Sequence, residues 1–168
     1  MVYYEKLQKM FKEGKYAEIK SFCESELQLH PNDIDLTFYY ASSLEALGEH
    51  EKARNYFEKL FNLTKENIFL ICKSIPSFAL GERAKAKEDI EKVLKVEKDP
   101  NILFYAFKVA VKNGESTTAK HGLFLALKTS PEKTIENLQK FFEEVKGTSI
   151  ERRVFFVSII NLLRSLPK

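Results

Sequence analysis

Ile34–Asn67, IDLTFYYASSLEALGEHEKARNYFEKLFNLTKEN, is the unit on which the chain is built, because its features recur on both sides at a nearly fixed interval. Its centre is Gly48. The chain has only 6 glycines, and five of them, Gly14, Gly48, Gly81, Gly114 and Gly147, stand 34, 33, 33 and 33 residues apart. A fixed period of about 20 to 50 residues marks an array of supersecondary units stacked in a row.

Counting from each glycine shows what the unit contains. Five residues on stand Ala53, Ala86 and Ala119; nine on, Phe57, Ile90 and Leu123; twelve on, Leu60, Val93 and Ala126. Steps of four and then three place these side chains on one face of a helix, and that face is expected to be buried. Seventeen residues past the glycine come Pro31 and Pro131, where proline suits only the first turn of a following helix. Each unit therefore reads as helix, glycine turn, helix.

With these offsets in place the chain resembles the tetratricopeptide repeat family, whose unit has a small residue, a large apolar one, another small one and a proline at these positions. The resemblance covers nearly all of the chain and is weakest at its ends. There Ile19 and Arg152 replace the small residue, and Glu26 stands at an apolar position. The family tryptophan is absent, with Tyr3, Thr37, Leu70 and Leu103 near its place. The resemblance implies an all-α fold, a right-handed superhelical solenoid of about five antiparallel helical hairpins. It would form a single domain over 1–168, with units at about 1–33, 34–67, 68–99 and 100–131 and a degenerate capping pair at 132–168.

Composition narrows the function classes. The net charge is only +3, and acidic and basic residues interleave, as in KARNYFEK and ERAKAKEDIEK, which is the pattern of solvated helix faces and not of a basic nucleic-acid surface. Cys23 and Cys72 lie on apolar helix faces and read as reduced, buried thiols. Without a secretory segment or a run long enough to span a bilayer, the expectation is a cytoplasmic protein that does not insert into membranes. Enzyme motifs are lacking: the glycines are used singly as turns, and His30, His50 and His121 have no second ligand at metal spacing. No catalysis, metal or cofactor is expected.

Local signals place the helices. The first is expected over roughly Val2 to Glu13 and its partner over Tyr16 to Leu29, with Asn32 or Asp33 capping the next. Pro76 falls inside a helix and is expected to kink or break it. Asp99-Pro100 and Ser130-Pro131 each read as an N-cap followed by proline at the first helical position. Thr148 and Glu151 have the spacing of a capping box.

Function in the resembling family lies on the first helix of each pair, at ten, six and three residues before the turn glycine. Those positions hold Tyr4, Gln8 and Phe11; Phe38, Ser42 and Glu45; Ile71, Ile75 and Phe78; Phe104, Lys108 and Val111; and Asn137, Phe141 and Glu144. The peptide-binding groove is thus expected to draw on Tyr4, Gln8, Phe11, Phe38, Ser42, Ile71, Phe78, Phe104, Lys108 and Val111. Any one of these rings could instead pack between neighbouring helices. Family members that grip a chaperone's C-terminal carboxylate use lysines and asparagines where this chain has Tyr4, Gln8, Tyr39, Ile68 and Cys72, so that clamp is missing. An apolar peptide or amphipathic helix of a protein partner suits the remaining wall.

The last helix, ERRVFFVSIINLLRSL, is apolar over most of its surface, with Ser158, Asn161, Arg164 and Ser165 as its polar strip. A terminal helix normally shows water a polar outer face. Either this one folds back into more core, or Phe155, Phe156, Ile159 and Leu163 form a self-association surface and the chain is a homodimer. The reading is a non-catalytic adaptor or assembly chaperone. Its alternatives are a secretion-type chaperone, which GLFLALKTSPE resembles, and a structural subunit that self-associates through its C-terminal helix.

Overall fold

The computed structural model describes residues 3–165, apart from the side chains of 162–165. These residues form ten α-helices and no strand: α1 Tyr4–Lys12, α2 Tyr16–Leu29, α3 Ile34–Ala46, α4 His50–Thr64, α5 Ile68–Ala79, α6 Arg83–Val96, α7 Pro100–Lys112, α8 Ser116–Thr129, α9 Pro131–Val145 and α10 Ser149–Ser165. No helix among them is long and apolar enough to cross a membrane. Internal contacts gather the chain into two compact units, Met1–Ala86 and Lys87–Lys168. In the first, α1 packs on α2 and α3, α2 on α3, and α4 on α3 and α5. In the second, α7 packs on α8 and α9, while α10 rests on α7, α8 and α9.

The periodic glycines make the turns. All five have positive φ, between 72° and 81°. At Gly48 the amide donates to the Glu45 carbonyl and the next amide, Glu49, donates to Leu44, a pair of bonds that closes α3 and fixes the direction in which the chain leaves it. The same two bonds recur at Gly14, Gly81 and Gly114. No atom lies within 4 Å of where a Cβ on Gly48 would stand, so its substitution meets only backbone strain. Gly48→Ala is accordingly expected to cost about 1 kcal/mol, read as a lower midpoint in urea titration.

The nine offset positions of α4, α6 and α8 are all in the core. Ala53, Leu60, Ala86, Ile90, Val93, Ala119, Leu123 and Ala126 have no exposure, and Phe57 retains 3%. In α2, Ile19 and Cys23 are fully buried, and burial pushes the Cys23 thiol up to about 12. Glu26, the polar exception, is tied by the Tyr3 hydroxyl, which donates to its Oε2 at 2.7 Å.

Two of the expected caps form, while a third does not and the proline inside α5 leaves the helix running. Asp33 Oδ1 accepts from the Leu36 amide at 2.9 Å and Asp99 Oδ1 from Asn101 at 2.8 Å, so both aspartates cap as expected. Ser130 occupies the cap position of α9 but makes no side-chain bond there. Pro76 does not break α5, which continues to Ala79. Only one amide donor is lost, the helix ends three residues later, and the Leu80 amide still closes on the Pro76 carbonyl.

A ladder of ion pairs joins successive second helices. Six residues past one glycine stands a cation and one residue past the next stands a glutamate: Lys20 with Glu49 at 2.6 Å, Arg54 with Glu82 at 2.6 Å, Lys87 with Glu115 at 3.4 Å. The next rung would pair Lys120 with position 148, which is threonine. The Lys120 ammonium instead lies 5.7 Å from the centre of the Phe156 ring.

The fifth turn is also built differently. The Gly147 amide donates to Glu151 Oε2 at 2.9 Å, and Thr148 Oγ1 accepts from Ile150 at 3.3 Å, so each bond of the expected capping box is displaced by one residue. The helix that follows is out of phase with the others. Arg152, Phe156 and Ile159, at offsets five, nine and twelve, are exposed, while Val154, Ser158 and Asn161, two residues further on, are buried. Two residues are roughly 200° of helix, so α10 turns almost its opposite face to the core.

Candidate functional site

In unit 1 the expected groove residues pack mostly against other rings of the same unit. The Tyr4 ring is exposed, its hydroxyl accepts from Gln8 Nε2 at 3.1 Å, and it meets the edge of Tyr39 at 6.2 Å. Phe11 approaches Tyr39 at 6.0 Å, and Phe38 packs on Phe57 and Phe69 at 6.4 and 6.3 Å. Ser42 is half-buried. Ile71 lies entirely within the core and Phe78 keeps 7% exposure, with the Arg83 guanidinium over its ring.

Unit 2 holds an open cleft of about 280 Å³ between α7 and α9, lined by Asn101, Phe104, Tyr105 and Lys108 from one helix and Asn137, Lys140, Phe141 and Glu144 from the other. Five of these eight stand at the inward offsets of the repeat. Phe104 and Phe141 meet edge to face at 6.2 Å and are nearly buried, which makes them the floor. Val111, the third inward position of α7, lies beneath it in the core.

The two ends of the cleft differ in chemistry. At one, Asn137 Nδ2 donates to Asn101 Oδ1 at 3.2 Å, which leaves the Asn101 amide and the Asn137 carbonyl able to bond a ligand. At the other, Glu144 accepts from Lys108 and Lys112, each at 3.0 Å, and both ammonium groups lie near the Phe141 ring, 4.8 and 5.5 Å from its centre. Burial alone would push the Glu144 carboxyl up, but the two lysines outweigh it and hold it below the ordinary carboxylate value. Lys140 is drawn away by Glu136 at 2.8 Å. The result is an aromatic floor with a neutral hydrogen-bonding end and an ionic end.

Sequence offsets found Phe104, Lys108, Asn137, Phe141 and Glu144 but missed Asn101, Tyr105, Lys112 and Lys140. Asn101 stands one helical turn before Phe104, so extending the offsets by a turn would have found it; Lys112 lies one turn after Lys108, next to Val111, and falls between the offsets. Of the expected self-association residues, Phe155, Phe156 and Ile159 are 56, 59 and 38% exposed, and the side chain of Leu163 lies outside the described residues. No family model matches the chain, and no curated protein matches it closely enough to name a relative.

Proposed function

We propose that the chain is a non-catalytic binding scaffold of the tetratricopeptide type, which takes an apolar segment of a protein partner on the first helices of its pairs. The cleft between α7 and α9 carries this reading. Its aromatic floor suits an apolar side chain. Its asparagine pair offers a donor and an acceptor for a backbone peptide group, which is how backbone recognition complements a side-chain pocket. A carboxylate on the incoming segment would compete with Glu144 for Lys108 and Lys112, so peptides bearing an acid next to the apolar anchor are favoured.

The test is selection of peptides from a displayed random library on the purified chain, followed by anisotropy titration of the winners. Asn101→Ala with Asn137→Ala is expected to weaken them about tenfold or more, since each lost hydrogen bond is worth about 1 kcal/mol. Failure to enrich any sequence, or equal affinity for the double variant, would remove the reading.

A further inference from the structure

We infer that the outer face of α10, together with Phe124 of α8, is the contact surface of a homodimer in which two copies of this chain pair about a two-fold axis. This goes beyond the cleft and does not depend on it. The observation that carries it is the half-turn rotation of α10. Because of it, Ser158 and Asn161 face inward, and their side chains satisfy themselves on their own helix: Ser158 Oγ donates to the Val154 carbonyl at 2.6 Å and Asn161 Nδ2 to Val157 at 3.0 Å. Asn161 Oδ1 is buried without a partner. Meanwhile the rings at Phe155 and Phe156 are more than half exposed, beside Ile159. Such a helix puts two polar side chains inside and three large apolar ones in water, an arrangement that makes sense when a second apolar surface covers the outside.

The patch is wide enough for that. Phe124 is 44% exposed on α8, one turn past Lys120, whose ammonium borders the Phe156 ring. Three half-exposed rings at about 100 Å² each, with Ile159, offer roughly 350–400 Å² per copy. Twice that supplies the apolar core of a standard interface of about 1,200–2,000 Å², the rest being its polar rim.

The charges also permit self-pairing. Arg152 stands two turns before Ile159, so an axis passing near Ile159 separates the two Arg152 side chains by about 20 Å along antiparallel helices. That exceeds the Debye length of about 8–10 Å at ordinary salt, and the basic first turns do not repel. Each ring row then meets its own copy, as an isologous contact requires.

Light scattering and sedimentation velocity on the full chain, from roughly 1 to 200 µM, decide the matter. The wild type is expected to reach twice its 19.5 kDa mass. Phe156→Glu should raise the dimer dissociation constant at least about a hundredfold and Phe124→Ser about tenfold, both with unchanged helical circular dichroism. A wild type monomeric throughout would overturn the inference, including one that sediments with anionic vesicles instead. So would a Phe156→Glu variant that dimerises as well as the wild type, or one that unfolds, since unfolding would put the ring inside.

Discussion

Phe57→Ala is expected to lower the stability of the chain by about 3–5 kcal/mol, as deletion of a fully packed ring does when its surroundings relax only partly. Phe57 sits nine residues past Gly48 with 3% of its surface exposed, and Phe38 packs against it at 6.4 Å. Its neighbours on the same helix face, Ala53 and Leu60, are fully buried, so no water-filled space lies ready to accept the cavity. Denaturant titration followed by circular dichroism measures the loss. A value below about 1 kcal/mol would mean that the offset of nine does not mark the core.

A comparable loss is expected from Gly122→Leu, for the opposite reason. Gly122 is the one glycine outside the period and lies buried inside α8, where glycine costs about 1 kcal/mol relative to alanine. It is tolerated because α7 comes close: a Cβ there would stand 3.2 Å from the Phe107 amide nitrogen and 3.4 Å from the Leu103 carbonyl oxygen. Those are backbone atoms, which cannot rotate aside. A leucine must push α7 and α8 apart, at a cost of about 3 kcal/mol that exceeds the gain in helix propensity. The midpoint of thermal unfolding reports it, and a variant as stable as the wild type would refute so close an approach.

The period and the core were legible before any coordinates. Glycine spacing placed the five positive-φ turns, and three offsets placed the buried faces of α4, α6 and α8, because both depend on interactions within about ten residues. The last helix was not legible in the same way. Thr148 and Glu151 look like a capping box, but Glu151 bonds the Gly147 amide, and the local pattern cannot reveal that this turn lacks the two carbonyl bonds of the other four. One trace was present: Thr148 stands where Glu49, Glu82 and Glu115 stand in earlier repeats. Reading Lys20, Arg54, Lys87 and Lys120 against those positions would have shown the missing rung.

The site was legible by row but not by depth. Phe104 and Phe141, expected on the inward row, line the cleft as its floor and not as its wall, because two large rings fill the space between α7 and α9. Ile71 and Val111 went deeper still for the same reason. The accessible chemistry falls to amides and charges, of which Lys108, Asn137 and Glu144 stand at the three offsets and their partners Asn101 and Lys112 do not.

The ladder of ion pairs also governs how such a chain can change in length. A string of like units can grow or shrink wherever each joint is the same, and here the joint is a cation on one helix and a glutamate at the start of the next. Gain or loss of an interior repeat of about 33 residues reproduces that joint and keeps every later repeat in phase. Behind Lys120 the rule lapses, since Thr148 offers no acid and the buried positions of α10 are shifted by two residues. Change in repeat number that preserves the joint is therefore expected only between positions that carry both the cation and the glutamate.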